Sequence, residues 1–91
     1  MRFEWDPRKA EANLRKHGVS FEEAVSAFKD PFAHIFSDPD HSAVEEREVL
    51  VGHSATGRLL VVCFTERGGS LRLFSVRQAT RHERRGYEER S

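Results

Sequence analysis

The chain has a single cysteine among its 91 residues, Cys63, so no internal disulfide can staple the fold. Cys63 sits in the apolar run "LLVVCF" and reads as core filler in a protein of a reducing compartment. No run approaches the ~18 consecutive apolar residues of a membrane span, and "MRFEWDPRKA" has no signal-peptide h-region. A cytoplasmic protein without membrane contact is therefore expected. Cysteine pairs and His pairs at i, i+4 are also missing. The five histidines (His17, His34, His41, His53 and His82) are scattered, and "SDPDH" reads as a loop, so no metal site is expected. The glycines of "RGGS" lead into a strand, whereas a phosphate-cradling loop must feed a helix; no Gly-flanked nucleophilic serine exists either. No cofactor is expected.

Net charge is absent as well, since 15 Lys+Arg balance 15 Asp+Glu. The balance hides an asymmetry. Residues 1–57 carry 7 Lys+Arg and 11 Asp+Glu, net −4, and residues 58–91 carry 8 Arg and 4 Glu, net +4. An acidic front and a basic back suggest an anionic partner for the second half, or neutralisation of one half by the other. Lysine does not occur after Lys29.

A chain of this length forms one domain, residues 1–91, and buries roughly 60% of its unfolded surface. "RFEW" is a short edge strand. Asp6-Pro7 opens a helix that runs to about Lys16 and stops at Gly18. Ser20-Phe21-Glu22-Glu23 is a capping box with Val19 stapled on Ala24, and Phe21, Ala24, Val25 and Phe28 form one apolar stripe up to Asp30-Pro31. The period then changes to strands at 32–37, 47–53, 58–66 and 70–77, with a polar loop at 38–46 and a Gly68-Gly69 hairpin turn. The run at 58–66 is apolar on both faces, as in a central strand covered on each side. Thr80-Arg81-His82-Glu83 is another capping box, opening a helix to about Arg90. The order β-α-α-β-β-β-β-α predicts a small α+β domain: an antiparallel sheet of about four strands, two N-terminal helices and one C-terminal helix.

The arginines carry the chemistry. On a pleated strand Arg72 and Arg77 fall on opposite faces, and Arg77 shares its face with Ser75, Leu73 and Leu71. A half-buried guanidinium there needs an anion. Salt bridging within the last helix is a thin reason for its composition. The pairs Arg84–Glu88 and Arg85–Glu89 would contribute at most ~0.5 kcal/mol each in the weaker orientation, and Gly86 costs ~1 kcal/mol relative to Ala. Exclusive use of Arg fits phosphate recognition, because its planar fork binds two oxygens and stays protonated. Thr65, Glu66, Arg67 and His53 end neighbouring strands. For RNA cleavage, Glu66 or His53 could take the 2′-OH proton, while Arg67, Arg77 and Arg81 supply positive charge. Pattern alone leads to an anion-binding α+β domain.

Three pieces in order resemble the BrnT family of bacterial toxins across nearly all of residues 2–90. They are Trp5-Asp6 with Lys9; Asn13-Leu14 with Lys16-His17-Gly18; and Ser75, Arg77, Ala79, Arg81, Glu83, Arg84, Tyr87 and Glu88. The resemblance implies a RelE-like fold and a metal-independent ribonuclease that arrests translation. It also implies a neighbouring-gene, DNA-binding antitoxin of the BrnA kind and a toxin homodimer within the toxin–antitoxin complex. On this reading Arg77 and Arg67 stabilise the scissile phosphate, Glu66 or His53 is the base, and Arg72, Arg81, Arg84 and Tyr87 hold RNA. The alternative is a non-catalytic module whose basic strand and helix dock a protein or nucleic acid.

Overall fold

A computed structural model describes residues 1–38 and 46–90; the polar loop expected at 38–46 falls almost wholly outside them. The elements are β1 (Arg2–Glu4), α1 (Pro7–His17), α2 (Phe21–Ala27), β2 (His34–Ser37), β3 (Glu48–His53), β4 (Leu59–Arg67), β5 (Ser70–Gln78) and α3 (Arg81–Arg90). Their order is the one the periodicities predict. The strands form one sheet in the order β1-β5-β4-β3-β2, antiparallel except for β1, which joins β5 in parallel. That is one strand more than the expected four. The three residues of β1 hold the edge because Phe3 packs edge-on against Phe28, ring centroids 5.0 Å apart.

Local chemistry sets the helix ends. Asp6 accepts the Arg8 N–H at 2.8 Å, and Gly18, at φ 69°, closes α1 by donating to the Leu14 carbonyl at 2.9 Å. Only glycine takes that backbone angle without steric cost. Gly68 and Gly69, at φ 58° and 83°, form the tight turn between β4 and β5. Ser20 accepts the Glu23 N–H at 3.0 Å, the first half of the predicted capping box. The second half does not form. The Glu23 carboxylate instead accepts from Arg58 Nε (2.9 Å), Ser54 Oγ (2.8 Å) and Thr56 Oγ1 (2.8 Å), tying α2 to the β3–β4 turn.

This clamp has a pH signature. Hydrogen bonds from Arg58 lower the Glu23 carboxyl from 4.5 to about 2; burial opposes them, and Ser54 and Thr56 reinforce them. A carboxyl more acidic in the folded chain stabilises the fold fully above its unfolded value, and that contribution is lost as pH falls through the folded one. Between pH 4.5 and 2 the urea midpoint of the wild type is expected to drop more steeply than that of Glu23→Gln. Equal slopes in that window would exclude the clamp as a contributor.

Helices α1 and α2 cover one sheet face, where Val19, Phe21, Ala24 and Ala27 pack on Leu50, Leu60, Val62, Phe64, Leu73 and Val76. Gly52 lets α2 approach β3: a Cβ there would lie 3.0 Å from Ala33 Cβ and 3.1 Å from the Ala27 carbonyl oxygen. On the other face α3 lays Tyr87 over Val51, Leu59 and Val61. The β4–β5 register shifts between Cys63, opposite Ser75, and Phe64, opposite Leu73, so Phe74 is the extra residue of a β-bulge. A bulge reverses the alternation beyond it. Leu71, Leu73 and Val76 thus share the core side, and Arg72, Ser75 and Arg77 share the other. The expected placement of Arg77 beside Leu71 and Leu73, opposite Arg72, is corrected by this one residue.

Candidate functional site

Helix α3 leaves part of its sheet face uncovered, and a groove of about 420 Å³ lies there. Val49, Val61 and Cys63 line its apolar base, Ser75 and Arg77 come from β5, and Lys9, Arg47 and Asp38 surround them. Phe74 organises two of these cations. The Arg47 guanidinium lies 4.0 Å and the Lys9 ammonium 5.3 Å from its ring centroid. Cation–π attraction holds charges at such distances. The residue that makes the bulge thus gathers side chains from α1 and from the residue just before β3. Burial pushes the Cys63 thiol up, so it is an inert part of the lining.

Arg77 does have its anion, and the chain supplies it. Its Nη1 donates to Glu83 Oε1 at 2.8 Å and its Nη2 to Glu83 Oε2 at 2.9 Å, an end-on fork; Nη1 also donates to the Gln78 carbonyl at 3.3 Å. Glu83 is doubly fixed. It accepts the Thr80 N–H at 2.8 Å and donates its own N–H to Thr80 Oγ1 at 3.1 Å, so here both halves of the predicted capping box form. Hydrogen bonds from Arg77 hold the Glu83 carboxyl at about 2, which leaves it a permanent anion at neutral pH. A guanidinium has five N–H donors. Its Nε–H and second Nη2 proton have no partner among the described residues, so the side-on fork stays open to an anion in the groove.

The other nominated residues are dispersed. Val61 lies opposite Arg77, and Glu66 and Arg67 lie five and six residues further along β4, about 17–20 Å away at 3.3 Å per residue. They sit exposed at the hairpin and cannot share a phosphate with Arg77. Arg72 is on the groove's face of the sheet but pairs with Glu4 at 3.6 Å. Arg81 and Arg84 are exposed on α3 and do not line the groove. Tyr87 is buried, 7% exposed, and its hydroxyl donates to Asp30 Oδ2 at 2.7 Å. His53 donates its backbone N–H to the same oxygen at 2.7 Å, and its Nδ1 lies 3.2 Å from the Tyr87 hydroxyl. Burial works to raise the Asp30 carboxyl, but the N–H of His53, the Tyr87 hydroxyl and the N–H of Phe32 outweigh it and hold it below its ordinary 3.8. This network anchors α3, and it does not line the groove.

Sequence alone assigns no site role to Arg47, Lys9, Asp38 or Ser75, although Lys9 and Ser75 belong to the residue pattern that carries the resemblance. Arg47 and Asp38 flank the polar stretch and are remote from Arg77 in the chain, so spacing could not pair them with it. Among the described residues no group of three or more His, Cys, Asp or Glu side chains could hold a metal ion, and no helix is long and apolar enough to cross a membrane.

The family model for the ribonuclease toxin BrnT of type II toxin–antitoxin systems matches residues 5–83. The crystal structure of the Brucella abortus ribonuclease toxin BrnT superposes with a TM-score of 0.61 at 25% identity, covering 89% of this chain and 99% of that one. Among curated proteins, no sequence matches. With residues 5–83 of its 91 inside the family match and 99% of a solved toxin laid over its fold, the chain belongs to the BrnT family of ribonuclease toxins.

Proposed function

We propose that this toxin is a metal-independent endoribonuclease that cuts RNA in the groove beside α3 and thereby blocks translation in the cytoplasm. A cognate DNA-binding antitoxin of the BrnA kind neutralises it, in a complex that holds the toxin as a homodimer. In the reaction the RNA 2′-oxygen loses its proton and attacks the adjacent phosphorus. The P–O5′ bond breaks, the 5′-oxygen takes up a proton, and the products are a 2′,3′-cyclic phosphate and a 5′-hydroxyl. Negative charge accumulates on the phosphorane oxygens, and fixed cations aimed at that charge give the strongest stabilisation such a site can supply. The observation that carries the reading is the convergence of Lys9, Arg47 and Arg77 on one groove, with Arg77 held rigidly by Glu83 and its side-on fork open. Glu83 is too firmly engaged to move protons, and Glu66 is too distant.

Purified protein incubated with labelled RNA is expected to cleave equally with and without EDTA and to leave 2′,3′-cyclic phosphate ends. Cleavage abolished by the chelator would overturn metal independence. RNA that binds yet stays intact at high protein concentration would establish the non-catalytic module instead.

A further inference from the structure

We propose that the cavity between α3 and strands β2 and β3 is a nucleobase pocket that takes one unstacked base of the RNA whose phosphate lies in the groove. The inference rests on the groove being the RNA site. The cavity holds about 330 Å³, at the small end of the ~300–1,000 Å³ typical of ligand sites. It shares Val49 and Asp38 with the phosphate groove, so the two are continuous along the sheet. Phe36, Val51 and Tyr87 make it largely apolar, and His34 and Ser37 add hydrogen-bonding groups. An apolar slot with polar edges beside a cationic groove is the arrangement that receives a splayed RNA base.

Two further features lack a structural reason until a ligand is considered. The first is Gly86. It lies inside α3 with an ordinary helical backbone, and a Cβ there would meet nothing within 4 Å. Neither backbone angle nor crowding calls for glycine, a far poorer helix former than alanine. Gly86 lines the cavity with His82 and Arg90, one turn to either side, and with Glu83. Its missing side chain keeps that wall open. The second is His34 Nε2, the one buried side-chain polar atom among the described residues without a hydrogen-bond partner. Leaving such an atom unsatisfied is destabilising. The His34 ring is held edge-on to Tyr87, centroids 5.6 Å apart, and a donor on a base edge would complete it. Arg90, 5.0 Å from the Phe36 ring centroid, places a cation beside the slot. The base preference of the toxin is accordingly set at His34, Gly86 and Phe36, apart from the cations that hold the phosphate.

The test reads binding, so it does not depend on cleavage. Isotope-labelled protein is titrated with the four nucleoside 3′-monophosphates and, as a baseless probe, inorganic phosphate, following backbone amide shifts. Phosphate is expected to move Ser75 and Arg77 alone, and the nucleotides to move Gly86 and His34 as well. Gly86→Leu replaces a poor helix former with a good one, so its melting temperature is expected to match or exceed that of the wild type. It is expected to weaken nucleotide binding about tenfold or more, the scale of losing one stacked base, and to leave phosphate binding unchanged. Nucleotides and phosphate moving the same amides, or wild-type nucleotide affinity in Gly86→Leu, overturns the pocket and leaves the groove standing. Shifts from neither probe overturn the groove, and the pocket with it.

Discussion

Replacing Arg77 with Ala is expected to lower RNA cleavage about 10²–10³-fold, the cost of removing one preorganised donor at developing charge, and to abolish growth arrest on expression. The fold should survive. Arg77 is 41% exposed at its side chain, and Glu83 keeps its capping contacts with Thr80 when the guanidinium is gone. Arg77→Lys separates charge from shape. An ammonium retains the positive charge but cannot hold Glu83 with one edge and a phosphate with the other, so this variant should recover only a small part of the lost rate. Circular dichroism and a thermal melt confirm folding, and a cleavage time course gives the rate. Undiminished arrest from a folded Arg77→Ala protein would place the chemistry elsewhere.

Asn13→Ala is expected to cost about 3 kcal/mol of stability, although Asn13 touches no part of the groove. The reason lies in the short edge strand. β1 covers β5 only at Ser70, Leu71 and Arg72, so beyond them this edge of the sheet has no neighbouring strand. The Asn13 side chain takes the strand's place. Its Nδ2 donates to the Val76 carbonyl at 2.8 Å and to the Val19 carbonyl at 3.0 Å, and its Oδ1 accepts the Val76 N–H at 3.1 Å. One buried amide thus joins α1, the α1–α2 connection and β5. Alanine strands two carbonyls and an N–H, each worth ~1–3 kcal/mol when buried and unpaired. For a domain this small each kcal/mol shifts the melting temperature ~4–8 °C, so a fall of roughly 15 °C follows. A fall under about 5 °C would show that water or a shift of the backbone repairs the gap.

Much of the fold is legible in the sequence because its signals are short in range. Asp6-Pro7, Gly18, Ser20 and Thr80 with Glu83 mark helix ends through contacts within four residues, and Gly68-Gly69 marks a turn that only those two residues make. The change from a period near 3.6 to a period of two at residue 32 separates helix from strand by the same local logic. Even the demand of Arg77 for an anion can be read from an apolar strand that ends in a guanidinium. The identity of that anion is less accessible, because Glu83 already has a complete local explanation as the closing residue of a capping box. Glu23 shows the opposite case. Its sequence position predicts a return bond to its own helix, yet the carboxylate turns to Arg58, 35 residues away.

The sequence by itself determined the elements, their order and the family, since caps, turns, periodicity and motif order are properties of neighbouring residues. Tertiary structure alone decided where the candidate site lies. One bulge at Phe74 reverses the faces of β5, putting Arg72 and Arg77 on one side and taking Arg77 away from Leu71 and Leu73. Antiparallel pairing carries Glu66 and Arg67 to the far end of the sheet, and packing on Phe74 brings Lys9 and Arg47 to Arg77. Strand alternation has a period of two, so a one-residue change in register redirects every side chain beyond it. That register is settled by cross-strand contacts among residues far apart in the chain.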